Sequence, residues 1–171
     1  VRPAAERNGT EVLVQIDDLP DLVGDVTSLR RVLLNFATNA VKATRGGSIR
    51  LTATQTADGK NGHIVTFAVT DSGRGISPDD IPRLFRDFGM LERDSPTTEG
   101  TGLGLAICRR LATAMGGEVG VESTLGQGSR FWLRVPLPKV EKGVFDAERE
   151  ADDPLGVLVG LKVLVAEDHD T

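Results

Sequence analysis

Two asparagines and a lysine are spaced so that they share one face of a helix. Asn35, Asn39 and Lys42 lie four and three residues apart, which at about 100° per residue places them along one side. Asparagine is a mediocre helix former, and amides beside an apolar stripe need partners if they are buried. Amide oxygens suit a magnesium ion, and a lysine supplies a point charge for phosphate. An ordinary solvated helix face explains this segment alone equally well.

A carboxylate followed by two glycines comes directly after a stretch rich in β-forming residues. Asp71 opens the run Asp-Ser-Gly-Arg-Gly-Ile, which contains Gly73, Gly75 and Ile76. Glycines at a strand end permit a tight loop and the close approach of a ligand. The carboxylate can accept a hydrogen bond from the amino group of adenine, whereas it would meet the carbonyl of guanine without a donor between them. A plain turn with an Asx cap is the alternative.

A third segment is a glycine-rich run that leads into an apolar helical pattern. It comprises Gly100, Thr101, Gly102, Leu103, Gly104 and Leu105. Free N–H groups of glycines at a helix N-terminus form an anion site. The preceding residues 93–99 are polar rather than strand-like, and the run lacks both the dinucleotide-binding spacing and the Gly-Lys-Ser/Thr ending of a P-loop. The run therefore favours phosphate binding by a lid.

The elements that must position these residues alternate between strands and helices. Strands are predicted at 11–16, 48–56, 63–71, 118–123 and 129–137. Helices are predicted at 25–44 and 103–115, with Asp25 as an N-cap, and a short one is opened by Ser77 and Pro78. We expect residues 89–102, which are polar and show no periodicity, to form a long loop. This order predicts an α/β (α+β) two-layer sandwich with a mixed, mostly antiparallel sheet and helices packed on one face.

Composition excludes several classes of protein. The 171 residues are 39% hydrophobic and 26% charged, which argues against disorder. A single cysteine and two histidines exclude a disulfide framework, a cysteine-rich zinc site and a histidine-rich metal centre. No apolar run is long enough to span a membrane. The chain begins at Val1 without a signal-like segment, so we expect it to be cut from a longer protein.

The charge divides the chain near Pro138. Residues 1–138 carry 16 basic and 16 acidic side chains, whereas residues 139–171 carry 4 basic and 9 acidic ones. The neutral main body offers no broad basic surface for nucleic acid. We expect one domain over residues 1–138, an acidic linker over 139–160, and the start of a further segment over 161–171, with a buried-type strand at 161–166.

Together, the three segments resemble the catalytic, ATP-binding domain of sensor histidine kinases, within the wider GHKL group of ATPases. The resemblance covers roughly residues 6–138. Its four boxes match residues 35–44 (asparagine box), 71–76 (first glycine box), 84–88 (phenylalanine box) and 100–105 (second glycine box). The family implies a Bergerat-type fold that binds ATP with Mg²⁺ between the long helix and a mobile lid.

The resemblance also implies roles for individual residues. Asn39 coordinates magnesium with Asn35 nearby, Lys42 meets phosphate, and Asp71 recognises adenine. Gly73 and Gly75 let the base approach, with Ile76 beside them. The phosphates are covered by the run Gly100, Thr101, Gly102, Leu103, Gly104 and Leu105. Arg93 in the lid helps to balance charge in the transition state.

One position within the group separates phosphoryl transfer from hydrolysis. Relatives that hydrolyse ATP carry a glutamate four residues before the magnesium asparagine, where it activates water. This chain has Asn35 there, which cannot serve as a base. The resemblance therefore implies a histidine kinase domain that donates the γ-phosphate to a histidine on a separate, helical dimerisation domain. A GHKL-type ATP hydrolase and a nucleotide-inactive docking module are the alternatives.

The remaining residues that could do chemistry have structural interpretations. His63 lies in a predicted hairpin turn and His169 beyond the linker, so both are expected to be structural surface residues, and the chain alone is not expected to phosphorylate itself. Phe85 and Phe88 are expected to anchor the entry to the lid in the core. Cys108 is expected to be an inert core residue.

The tail carries a second resemblance. Residues 161–168, Leu-Lys-Val-Leu-Val-Ala-Glu-Asp, look like the first strand of a response-regulator receiver domain, in which an acidic pair after the strand helps to hold magnesium. The parent protein would then be a hybrid kinase. The implied partners are the dimerisation domain, the receiver domain and a response regulator, with no nucleic acid and no direct membrane contact. The implied location is cytoplasmic, whether or not the parent is membrane-anchored.

Overall fold

A five-stranded mixed sheet forms the centre of the molecule. The computed structural model describes residues 1–59, 62–86, 103–138 and 163–164. The strands are β1 (Thr10–Ile16), β2 (Leu22–Val23), β3 (Gly47–Gly59), β4 (Gly62–Asp71), β5 (Glu118–Thr124), β6 (Gly128–Leu137) and β7 (Val163–Leu164). The sheet has the order β1-β3-β4-β6-β5, with β1 and β3 parallel and the other pairs antiparallel. β4 is therefore the central strand, and its last residue opens the glycine loop.

Three α-helices accompany the strands in the described part of the chain. They are α1 (Arg2–Arg7), α2 (Val26–Ala43) and α3 (Gly104–Ala114). α2 begins after Asp25, whose side chain accepts a hydrogen bond from the Ser28 N–H at 2.9 Å and so satisfies one of the unpaired donors of the first turn. α3 ends where Gly116 adopts a φ of 71°, as a left-handed glycine does after a helix.

The core lies between the sheet and the apolar faces of α2 and α3. α2 buries a stripe at three- and four-residue spacing: Leu29, Val32, Leu33, Phe36, Ala37, Ala40 and Val41. The Phe36 ring is fully buried, and its centroid lies 5.6 Å from that of Phe131 on β6. Burial of this stripe fixes which face of α2 turns toward the sheet, and thereby where its polar residues lie.

The predicted architecture is confirmed, including the mixed sheet and the helices on one face. The two hairpins form as predicted, although β3 and β4 extend to Gly59 and Gly62. Two short elements, α1 and β2, were not predicted. β2 pairs in parallel with β7, which lies within the strand predicted from residues 161 to 166.

Two local predictions are wrong. Ser77 and Pro78 do not open a helix; they begin a turn, and a 3₁₀-helix follows at Ile81–Arg83 with Asp80 at its N-cap. The expected surface position of His63 in the turn is wrong: it lies within β4, at the start of the predicted strand 63–71, opposite Leu137 on β6, and is 4% exposed. Cys108 is fully buried, as expected.

No helix in the described segments is both long enough and apolar enough to cross a membrane.

Candidate functional site

The three polar residues of the asparagine segment all lie on α2. Asn35 and Asn39 are half-buried and Lys42 is exposed, whereas Phe36 and Ala40 next to them are buried. The predicted helix and the predicted polar face are therefore both present. α2 holds this face at a defined orientation because its opposite side packs into the core.

The Asn35 side chain is held by its own helix and lies against α3. Its Nδ2 donates a hydrogen bond to the Arg31 carbonyl at 3.0 Å. A Cβ added at Gly104 would come within 2.8 Å of the Asn35 Oδ1. Asn35 and Gly104, which belong to two of the predicted segments, are therefore in contact.

Asp71 is a buried carboxylate at the end of the central strand. Its residue is 4% exposed, and its Oδ1 accepts a hydrogen bond from the Gly73 N–H at 2.9 Å. Burial raises the pKa of this carboxyl above 3.8, although the backbone N–H groups of Gly73 and Ser129 act in the opposite direction. A buried acid with spare acceptor capacity is a group suited to ligand recognition.

The two glycines after Asp71 are required by close backbone packing. A Cβ at Gly73 would lie 2.5 Å from the Ala43 carbonyl oxygen, at the end of α2. Gly75 has a φ of 66°, and a Cβ there would overlap the Thr124 carbonyl oxygen. Because both residues lack a side chain, the loop can pass closely between α2 and the turn that joins β5 to β6.

Further hydrogen bonds fix the loop from both sides. The Arg74 N–H donates to the Ala43 carbonyl at 3.3 Å. The Ile76 N–H donates to Ser123 Oγ at 2.8 Å. The Gly126 N–H donates to the Arg74 carbonyl at 2.7 Å. The sequence analysis assigned no role to Ser123, Ala43 or Gly126. Ala43 and Gly126 act through backbone atoms, so their side-chain types could not indicate these contacts.

α2 brings the three predicted segments together. The start of α3 contacts it at Asn35, and the loop after Asp71 contacts it at Ala43. Eight residues of helix separate these points, or about 12 Å at 1.5 Å per residue. Asn39 lies midway along that length, so the arrangement offers an acid at one end and a helix N-terminus at the other.

The remaining predicted residues divide between the described and the undescribed parts of the chain. Leu103 is the N-cap of α3, Gly104 and Leu105 form its first turn, and Ile76 is half-buried. Phe85 packs against the core, as expected. Arg93, Gly100, Thr101, Gly102 and Phe88 lie outside the described residues, as do the linker and His169.

The described residues fit ATP with Mg²⁺. An ionised carboxylate offers about four acceptor positions, so Asp71 retains capacity for an amino group beyond the bonds from Gly73 and Ser129. Mg²⁺ prefers oxygen ligands and is usually held by one or two protein groups together with phosphates and water, which matches the amides on α2. The helical start of α3 suits anionic phosphate.

Known ATPases and sensor proteins are similar to this chain in sequence. The family of histidine kinase-, DNA gyrase B-, and HSP90-like ATPases matches residues 24–139. The chain is 40% identical over 171 residues to the sensor protein GacS of Pseudomonas syringae pv. syringae, covering 98% of this chain and 18% of that protein. It is 40% identical over 151 residues to the aerobic respiration control sensor protein ArcB of Escherichia coli K12, covering 86% of this chain and 18% of that protein. The chain thus spans less than a fifth of either relative.

A solved structure shows the same fold. The chain superposes on full-length ShkA in complex with AMPPNP with a TM-score of 0.71 and 42% sequence identity, over 81% of this chain and 28% of that one. It also matches the catalytic domain of the histidine kinase ThkA in a nucleotide-free form, with a TM-score of 0.63 and 26% identity, over 79% of this chain and 84% of that one.

Proposed function

Because the chain belongs to the family of histidine kinase-, DNA gyrase B-, and HSP90-like ATPases, we propose that it is the ATP-binding catalytic domain of a two-component sensor histidine kinase. It binds Mg-ATP and donates the γ-phosphate to a histidine on a separate dimerisation domain. The observation that carries the proposal is the buried Asp71 carboxylate, whose loop packs against the last turn of α2.

Asp71 selects adenine. Its carboxylate accepts a hydrogen bond from the exocyclic amino group, whereas guanine would place a carbonyl against it and leave two acceptors facing each other. Gly73, Gly75 and Ile76 border the base. The support for this assignment is that the loop is held by hydrogen bonds on both sides, so Asp71 is positioned before the ligand arrives.

The polar face of α2 and the start of α3 hold the phosphates. Asn39 is the magnesium ligand with Asn35 one turn away, and Lys42 meets a phosphate oxygen. Magnesium, when bound, neutralises phosphate charge. The run Gly100, Thr101, Gly102, Leu103, Gly104 and Leu105 covers the phosphates, and Arg93 balances transition-state charge.

The domain favours transfer over hydrolysis. Asn35 lies where hydrolytic relatives carry a glutamate, and its amide cannot accept the proton of an attacking water. The γ-phosphate is therefore kept for a better nucleophile. Turnover of ATP by the purified chain should be slow, and a rate as high as that of the hydrolytic ATPases would replace the kinase proposal with a hydrolase.

The parent protein is proposed to be a hybrid kinase. Residues 1–138 form the catalytic domain, residues 139–160 an acidic linker, and residues 161–171 the start of a receiver-like domain. The similarity to GacS includes the tail, because it extends over 98% of the chain. The partners are then the dimerisation domain and receiver domain of the parent, together with a response regulator.

Thermal unfolding with nucleotides tests the proposal. Mg-ATP and Mg-ADP should raise the unfolding temperature, since a ligand at 100 times its Kd adds about 2.7 kcal/mol to the free energy of unfolding. Mg-GTP should have little effect, and Asp71→Asn should abolish the shift with ATP. If ATP and GTP stabilise the chain equally, Asp71 does not select the base; if neither does, the domain is a docking module without nucleotide.

A further inference from the structure

Asn35 makes contacts that a magnesium ligand would not need. Its Nδ2 donates to the Arg31 carbonyl at 3.0 Å, and its Oδ1 occupies the space that a side chain at Gly104 would take. Burial raises the pKa of the nearby Cys108 thiol to about 12, although hydrogen bonding from Asn35 acts in the opposite direction. The amide nitrogen is therefore held within the protein, and the amide oxygen lies against the first turn of α3 at Gly104.

Gly104 and Cys108 are four residues apart and lie on one face of α3. The Cys108 Sγ also approaches the Val32 carbonyl of α2 at 4.0 Å. Small side chains at these positions let the two helices approach closely, with Asn35 between them. Among the described residues, a Cβ at Gly104 would meet Oδ1 and Cγ of Asn35, at 2.8 and 3.5 Å.

Asn35 cannot move away freely. Rotation of its side chain to admit a Cβ at Gly104 would break the bond to the Arg31 carbonyl, which costs free energy. The position of Gly104 on α3 is thus coupled to the Asn35 rotamer on α2.

The geometry points to Asn35 as a positioning residue that fixes the first turn of α3 against α2 and leaves the protein's magnesium contact to Asn39. This inference rests on the proposed function, because the first turn of α3 matters to binding only if it faces the phosphates. It explains the glycine at position 104 by a contact within the protein rather than by the approach of a ligand.

The contact itself is tested without nucleotide by thermal unfolding. Gly104→Ala should lower the unfolding temperature of the native chain but not that of the Asn35→Ala variant, because the second substitution removes the oxygen that the new Cβ would meet. Thr38→Ala is the matched control: Thr38 Oγ1 also donates to a carbonyl of its own helix, that of Leu34, at 2.9 Å. If Gly104→Ala lowers the unfolding temperature equally in the native, Asn35→Ala and Thr38→Ala chains, the contact between Gly104 and Asn35 is not what limits position 104, and the inference is wrong.

The positioning role is tested by the affinity for ATP, measured with Mg²⁺ and with EDTA on folded variants. Gly104→Ala should weaken binding by at least about threefold in both conditions, and Asn35→Ala should weaken it in both conditions as well, because the first turn of α3 then loses its positioning contact. If Gly104→Ala leaves the affinity for ATP unchanged, the contact serves only packing, and Asn35 does not position α3 for the ligand.

The magnesium dependence of the affinity for ATP distinguishes an asparagine that binds the metal from one that only positions α3. Asn35→Ala should leave the ratio of the two ATP affinities unchanged, whereas Asn39→Ala should bring the ratio close to one. If Asn35→Ala abolishes the magnesium dependence, Asn35 is a metal ligand and the inference is wrong. If the native chain binds no ATP in either condition, the proposed function fails, while the unfolding data still decide whether Asn35 positions α3.

Discussion

Asp71 is a carboxylic acid buried where water scarcely reaches it. Burial raises its pKa above 3.8, so the folded state favours the protonated form more than the unfolded state does. The stability that this difference provides is complete below the ordinary pKa and is lost as the pH rises through the folded pKa. At neutral pH the free protein therefore keeps a charge that destabilises it, as is common at sites built for a ligand.

The pH dependence of stability should reveal this charge. We expect the free energy of unfolding of the native chain, relative to that of Asp71→Asn, to decrease as the pH rises from below 3.8 through the raised pKa. Urea denaturation at a series of pH values measures this difference. A difference that grows with rising pH would show that the folded protein stabilises the Asp71 charge.

Asp25 provides a control of opposite sign. Hydrogen bonds from Ser28 lower the pKa of this N-cap carboxyl below 3.8, so its contribution is present above the ordinary pKa and is lost as the pH falls through the folded pKa. The free energy of unfolding of the native chain, relative to that of Asp25→Asn, should therefore increase with pH. Asparagine also caps helices well, so the comparison isolates the titration.

The sequence indicated Asp71 because an acid, two glycines and a preceding β-rich run are all visible in side-chain types. The contacts that hold the loop after Asp71 were not predictable in the same way. The Ala43 and Thr124 carbonyls that close the loop belong to the backbone and are common to every residue, so only the folded chain identifies them. Burial of His63 was missed because a residue beside a predicted turn is expected at the surface, whereas His63 is paired with Asp58 on one side and Leu137 on the other.

At the scale of elements, the loop after β4 is clamped between two others. α2 meets it at Gly73, and the turn between β5 and β6 meets it at Gly75. A change in either contact should therefore move Asp71 as well. The regular elements were predictable from periodicity, whereas α1 and β2 have six and two residues and are too short to show a period.

A pair of glycine variants tests the clamp. Gly75 and Gly126 have φ values of 66° and 82°, but a Cβ at Gly75 overlaps the Thr124 backbone and one at Gly126 meets nothing within 4 Å. Gly126→Ala should cost about 1 kcal/mol for its left-handed backbone alone. Gly75→Ala should cost clearly more and should also weaken ATP binding. Chemical denaturation and calorimetry measure the two effects, and equal costs would contradict the clamp.

At the scale of the whole molecule, the site depends on the packing of α2 against the sheet. Phe36 is a fully buried contact between them, next to Phe131. Phe36→Ala should lower the free energy of unfolding by about 3–5 kcal/mol, with loss of ATP binding in proportion to the unfolded fraction. The exposed Leu34→Ala, on the same helix, is the control and should cost much less. A small cost for Phe36→Ala would show that α2 is held by other contacts.

The catalytic domain and its phosphate acceptor are expected to be separate units. His63 is 4% exposed within β4, so its ring cannot reach a γ-phosphate without disruption of the sheet. With γ-labelled ATP the chain alone should therefore acquire no alkali-stable label, and label should appear on a dimerisation domain added from a histidine kinase relative. Stable label on the chain alone, lost in His63→Gln while ATP binding persists, would place the acceptor inside this fold. The same loss in His169→Gln would place it in the tail, and either result would contradict the division of labour proposed for the parent protein.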